Sequence, residues 1–307
     1  MRILFMGTPE FAVPSLRILL DHSYEVSGVV TAPDRPRGRS QQVSCTPIKE
    51  FALHHRLPIL QPENLKDSKF VSDVQQLAPD LIVIVAFRVL PREVYTIPKL
   101  GSFNLHASLL PRYRGAAPIN WAIINGEKES GVTTFFLQDK VDTGSVLLQA
   151  RVKVGADETA GELHDTLSEV GAEIVLQTVR LIELGIAQPR MQNDSLACPA
   201  PKIFKNDCRI DWKKSSQQVH DFIRGLSPQP ASWTTHKGKT IKMYRAKITE
   251  AQSKEGGIVL QRTNETLLVG TGNGAVSILE IQQEGKRRLG VEEFLRGYAI
   301  KAGELFE

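Results

Sequence analysis

Asp80-Leu81-Ile82-Val83-Ile84-Val85-Ala86 is an apolar run closed by an acidic residue at one end and by Phe87-Arg88-Val89-Leu90-Pro91 at the other. A strand with one wet face alternates apolar and polar side chains. A run without alternation is buried on both faces, as a parallel strand covered by helices is. Outward from this run, Arg2–Met6 and Glu25–Thr31 read as strands of the same kind, followed by Gly101–His106, Gly131–Asp139 and Ser145–Val152. Between them Pro9–Leu20, Pro47–His55 and Asp67–Leu77 carry helical spacing, and Thr159–Leu184 is a long helix interrupted in pattern only by Gly161 and Gly171. Strand and helix alternate, the signature of βαβ units.

This predicts an α/β, Rossmann-like N-terminal domain with a mainly parallel sheet. From Gly185 to Asn206 the pattern lapses into Pro, Ala, Gln and Asn without period. A helix at Ser215–Gly225 follows, then short β-rich runs at 231–236, 240–248, 256–261, 266–270 and 275–282, punctuated by Gly and Asn. They predict a smaller C-terminal β-barrel of OB-like type. The expected division is 1–190, a linker over 191–208, and 209–307. No internal repeat is visible.

A chain of 307 residues accommodates two such domains. No apolar run approaches the roughly 18–20 residues of a membrane span, and the N-terminus meets Gly7 and Pro9 too early for a signal peptide. Cys45, Cys198 and Cys208 are odd in number and form no C-x-x-C pair, which argues against a disulfide scaffold and a structural zinc. A reducing cytoplasm is the expected compartment. The formal charge of +4 is unevenly divided: residues 202–247 hold 11 basic and 3 acidic side chains. That asymmetry reads either as an anion-binding surface or as a solvated basic face.

Four motifs bear on chemistry. Gly7-Thr8-Pro9-Glu10-Phe11 follows the first strand and reads equally as a tight turn or an anion site at a helix start; it is not the dinucleotide fingerprint. Asn104 and His106 lie two apart at the end of a strand, so they share a face at the edge where open α/β sheets place their sites. Asp142, in Gln138-Asp139-Lys140-Val141-Asp142-Thr143-Gly144, is placed to orient a histidine or share its proton. Asp-Thr-Gly is shared with aspartic proteases, but no second copy exists and the α/β pattern is wrong for one. Finally, Pro33-Asp34-Arg35-Pro36-Arg37-Gly38-Arg39-Ser40 carries three guanidinium forks on a Pro/Gly-rich segment expected to be irregular and mobile, a phosphate grip or a solvated loop.

Phe103-Asn104-Leu105-His106-Ala107-Ser108-Leu109-Leu110-Pro111-Arg112-Tyr113-Arg114-Gly115-Ala116-Ala117-Pro118, joined to Val141-Asp142-Thr143-Gly144, resembles the folate-dependent formyltransferase family. Arg114–Pro118 and the Pro33–Arg39 loop resemble the branch acting on methionyl initiator tRNA rather than the one acting on glycinamide ribonucleotide. Lys202-Ile203, Ile210-Asp211-Trp212 and Ile223–Trp233 extend the resemblance over nearly the whole chain. One stretch departs: that branch carries Ala-Tyr-Gly where this chain has Ala86-Phe87-Arg88, closer to the purine-pathway enzymes.

The resemblance implies transfer of a formyl group from 10-formyltetrahydrofolate to the α-amine of methionine on initiator tRNA, by a monomer with no metal. It implies Asn104 and His106 as oxyanion donors, with Asp142 holding the His106 tautomer. The folate would lie against Phe87, Arg88, Val89 and Leu90 and against Ser108, Leu109, Leu110 and Pro111. Arg35, Arg37, Arg39, Lys202, Lys213, Lys214, Lys237 and Lys239 would meet the tRNA, Arg39 matching the family residue that reads the acceptor stem. Transfer to a small amine would leave residues 201–307 without a task. A non-catalytic RNA-binding protein would have no need of Asn104, His106 and Asp142 together.

Overall fold

The computed structural model describes residues 1–37 and 42–307. In chain order the first elements are β1 (Arg2–Gly7), α1 (Val13–Asp21), β2 (Glu25–Val30), β3 (Arg35–Arg37), β4 (Gln42–Ser44), α2 (Pro47–His54), β5 (Ile59–Leu60), α3 (Ser68–Gln76), β6 (Leu81–Val85), α4 (Arg92–Tyr95) and β7 (Ser102–His106). There follow β8 (Arg114–Gly115), α5 (Pro118–Ile124), β9 (Glu129–Phe136), β10 (Val146–Lys153), α6 (Ala160–Glu183) and β11 (Pro199–Ala200). The last are α7 (Ser216–Gly225), β12 (Ser232–His236), β13 (Lys239–Thr249), β14 (Val259–Arg262), β15 (Leu267–Gly270), β16 (Ala275–Gln283), β17 (Leu289–Gly290) and α8 (Val291–Gly297). Two compact units result. One holds Met1–Gly115, Gly131–Val152 and His164–Pro199; the other holds Ala116–Ser130, Lys153–Leu163 and Ala200–Glu307.

The first unit is built on a seven-stranded sheet in the order β10-β9-β7-β6-β1-β2-β5. Its β5, β2, β1, β6 and β7 run parallel, and β9 turns antiparallel to β7. β1 and β6 are buried along almost their whole length, as their unbroken apolar runs demand. Strand order reverses between β1 and β6, which opens a crevice at their C-terminal ends. On one face Leu4, Met6, Ile82 and Ile84 pack with Phe70, Val74 and Val94 from α3 and α4.

Gly7 serves the tight turn after β1: an added Cβ would meet Ala12 Cβ at 2.8 Å. The helical segment expected over 9–20 opens as a short 3₁₀ turn, Glu10–Ala12, before α1. The glycines expected to interrupt the long helix do not break it; α6 is continuous, and Gly171 lets Leu105 approach to within 2.6 Å of where a Cβ would be. Of the arginine segment expected to be irregular, Arg35–Arg37 is a strand, while Gly38, Arg39 and Ser40 lie outside the described residues. β3 and β4 pair antiparallel, Arg35 opposite Ser44 and Arg37 opposite Gln42.

In the second unit β12-β13-β16-β15-β14 form an antiparallel sheet with β17 on β16. Val219 and Ile223 of α7 and Phe294 and Leu295 of α8 bury against Ile241, Met243, Val269 and Ile278. The open edges of β12 and β14 are joined by the C-terminal segment. Glu307 exchanges two bonds with Thr235, at 2.8 and 2.9 Å. On its other side Val259 N donates to the Glu304 carbonyl and Phe306 N to the Gly257 carbonyl, both at 2.8 Å. Closure removes two sheet edges at once.

Candidate active site

The C-terminal ends of β6 and β7 and the loop between β9 and β10 surround a cavity of about 100 Å³. Phe87, Arg88, Val89 and Leu90 form one wall, Asn104 and Phe135 the floor, and Leu137 to Asp142 the opposite wall. β7 places Asn104 beside Ile84 of β6 and Phe135 of β9, so its position follows from the sheet register. The Asn104 amide is held by no partner among the described residues, and it stands on the cavity surface. It is an unspent donor.

His106 is buried behind that surface, only 6% exposed. Its Nε2 lies 2.8 Å from the carbonyl of Tyr113. A carbonyl only accepts, so Nε2 carries a proton and donates it there, which leaves Nδ1 as the nitrogen free to present a lone pair in the neutral tautomer. Nδ1 faces Asp142 Oδ2 at 3.8 Å, beyond hydrogen-bond length. The tautomer is therefore held by the Tyr113 carbonyl and not, as expected, by Asp142. A water or an amine standing about 2.8 Å from both Nδ1 and Oδ2 can direct one hydrogen at each.

Asp142 Oδ2 accepts the backbone N–H of Gly115 at 2.9 Å. Asp142 adopts φ +54°, a left-handed conformation that Asp tolerates better than most residues. Two residues on, an added Cβ at Gly144 would lie 1.6 Å from the Phe136 carbonyl, so only glycine allows the loop to lie against β9. Sequence reading missed Gln192, from the segment read as a linker: its Nε2 donates to the carbonyls of Asp142 and Gly144 at 2.9 and 2.8 Å. A glutamine among Pro and Asn carries no periodic or motif signal.

The residues expected to hold the donor fall into two groups. Phe87 to Leu90 line the cavity, and an adjoining one of about 540 Å³ runs past Arg88, Val89, Leu90 and Tyr95 to Glu63 and Lys66. Arg88 is half-buried: Nη2 and Nη1 donate to the carbonyls of Pro62 and Glu63 at 2.7 and 3.0 Å, and burial draws its pKa down. Ser108, Leu109, Leu110 and Pro111 do not line either cavity. Ser108 Oγ donates to the Arg112 carbonyl at 2.6 Å, and Leu110 is buried with its N–H on Thr133 Oγ1.

The residues expected to meet the tRNA are dispersed. Arg35 is exposed and 3.9 Å from Glu63. Arg37 lies on β3, and Arg39 lies outside the described residues. Lys202 and Lys214 line a groove of about 590 Å³ with Trp121, Phe204 and Arg209, and Lys202 Nζ stands 5.5 Å over the Phe204 ring. Lys213 is exposed ahead of α7. Lys237 and Lys239 flank the β12–β13 turn, but Lys237 is bonded to Glu304 at 2.6 Å and is not a free cation. Among the described residues there is no cluster of three or more His, Cys, Asp or Glu able to hold a metal, and no helix long and apolar enough to cross a membrane.

Residues 1–179 match the family described as formyl transferase, and residues 202–299 match its C-terminal domain. The methionyl-tRNA formyltransferase of Chlorobium luteolum is 50% identical over 99% of this chain and 99% of its own length. That of Bacteroides thetaiotaomicron is 46% identical over 99% and 97%. Among solved structures, HypX from Aquifex aeolicus in complex with tetrahydrofolic acid superposes on 100% of this chain and 51% of its own, with a TM-score of 0.66 at 20% identity. WlaRD, a sugar 3N-formyl transferase, superposes on 94% and 99% with a TM-score of 0.68 at 20% identity. At that identity the likeness is one of fold.

Proposed function

The chain belongs to the formyl transferase family, and from that premise we propose that it moves the formyl group of 10-formyltetrahydrofolate onto the α-amine of methionine esterified to initiator tRNA. The observation that carries this reading is the near full-length 50% identity to a methionyl-tRNA formyltransferase, over a site that holds an unpartnered amide beside a buried imidazole and carboxylate.

The amine attacks as the neutral base, available because an α-amino pKa lies near 8. Its nitrogen bonds to the formyl carbon, the bond from that carbon to N10 of the donor breaks, and one proton passes from the amine to N10. In between, negative charge collects on the formyl oxygen. Asn104 is the donor suited to that oxygen, since its N–H is not committed elsewhere. His106 Nδ1 and Asp142 Oδ2 flank a position at which the amine proton, or a water that relays it, is accepted. Phe87, Leu90 and Phe135 give the pterin an apolar slot, with backbone groups at its edge. The basic side chains of 202–247 supply phosphate partners for the tRNA.

Formylation with 10-formyltetrahydrofolate, offering Met-tRNA, glycinamide ribonucleotide and an amino sugar nucleotide in turn, tests the reading. Turnover is expected with Met-tRNA alone. Equal or faster turnover with a small amine would overturn it.

A further inference from the structure

Gln192 makes every hydrogen bond its amide allows toward one place. Its two N–H groups go to the carbonyls of Asp142 and Gly144, at 2.9 and 2.8 Å. Its oxygen accepts from Arg114 Nε at 3.1 Å and Nη2 at 2.7 Å. The same Nη2 also donates to Asp194 Oδ1 at 2.7 Å, and the residue after Arg114, Gly115, donates its N–H to Asp142 Oδ2. The same segment reaches the other half of the site. Cys198 Sγ accepts the N–H of Tyr113 at 3.2 Å, and its carbonyl accepts that of Arg114 at 3.0 Å. The Tyr113 carbonyl is the group that holds the His106 ring. Arg190 closes the arrangement by exchanging two backbone bonds with Val146 at 2.8 Å.

We infer that Gln192 is a positioning residue for the reaction: it fixes the left-handed Asp142 backbone, so the Asp142 carboxylate stays 3.8 Å from His106 Nδ1, where the two flank one proton position. The physical reason is that Asp142 stands in an unfavoured φ region and follows a loop, Asp139–Val141, with exposed side chains. Asp tolerates that region, but no helix or strand holds it there. Two charge-free donors on nearby carbonyls hold the backbone without placing a new charge beside the carboxylate, which a lysine or arginine at 192 would do. Arg114 supplies the positive charge one bond removed, through the Gln192 oxygen. The segment Arg190–Cys198 thus acts as a brace under both halves of the site, so its sequence is under chemical as well as connective demand.

This inference rests on the proposed formyl transfer, and the test separates the two: wild-type single-turnover formylation of Met-tRNA checks that reading before any variant is measured. Gln192→Glu keeps an acceptor for Arg114 and removes both donors; Gln192→Ala removes everything. Both are expected to lose about 10- to 100-fold in the single-turnover rate, with KM for Met-tRNA and folate unchanged within about twofold. The deciding arm is the cycle with Asp142→Asn. If Gln192 acts through Asp142, adding Gln192→Ala to Asp142→Asn costs no more than about twofold further. Multiplying losses, a rise in KM that accounts for the defect, or wild-type rates in Gln192→Glu would each overturn the assignment. Unchanged circular dichroism and melting of Gln192→Glu would exclude misfolding as the cause.

Discussion

Asn104 is the side chain whose chemistry is least shared with structure. It contributes an uncommitted amide to the cavity, so its removal changes little besides the charge it would meet. Asn104→Ala should lower kcat by about 10²–10³-fold, the usual worth of one oxyanion donor, with a melting temperature close to wild type. Stopped single-turnover kinetics beside a thermal melt checks both halves. His106 and Asp142 face each other at 3.8 Å, and the proposed transfer has them act as a unit on one proton. His106→Ala and Asp142→Asn should each cost about 2–4 kcal/mol of barrier, and the double variant scarcely more than the worse single. Independent, additive losses would show that the two serve different steps.

At the scale of elements, the C-terminal segment Gly303–Glu307 takes the place of a strand. Its bonds to Thr235 and Val259 are backbone bonds, but side chains fix it in place: Phe306 stacks near Trp212 at 6.0 Å between ring centres and is 3% exposed. Phe306→Ala should cost about 3–5 kcal/mol of stability, read from a denaturant titration, because it leaves a cavity and loosens the closure together. Glu304 makes the same segment sensitive to acid. The Lys237 ammonium, the Lys301 N–H and His236 hold its carboxyl down to about 2 from 4.5. A carboxylate with a lowered folded-state pKa stabilises fully above its unfolded pKa and loses that contribution as pH falls toward the folded value. Stability of wild type should therefore decline relative to Glu304→Gln between about pH 4.5 and pH 2, and be fully expressed above that window. Parallel acid titrations of the two would reveal no difference in slope if the ion pair carries no linkage.

For the whole molecule, the uneven charge is the feature that separates a tRNA enzyme from a small-amine one. Lys202, Lys213, Lys214 and Lys239 are exposed and make no carboxylate pair among the described residues, whereas Lys237 is neutralised by Glu304. Changing Lys213, Lys214 and Lys239 to Gln should flatten the plot of log K against log salt for tRNA by roughly 0.7–0.9 unit for each phosphate left without its cation. Lys237→Gln should flatten it less and instead lower stability. An equal slope change for Lys237 would place it on the tRNA.

What the amino-acid sequence determined is what depends on residue type at short range. Short unbroken apolar runs bounded by turn residues fit strands buried on both faces, so β1 and β6 and the parallel sheet were legible. The two-residue spacing of Asn104 and His106 put both on one face at the sheet edge, and the motif through Asp142 carried the family. The tertiary structure alone decided which atom holds the His106 ring, that Gln192 props Asp142, and that Gly303–Glu307 joins β12 to β14. It also decided that Ala116–Ser130 belongs with the C-terminal chain and that Arg35–Arg37 pairs as a strand. These are matters of backbone carbonyls and N–H groups meeting across long sequence separations. Every residue has a carbonyl and all but proline an N–H, so no residue type announces where they will pair.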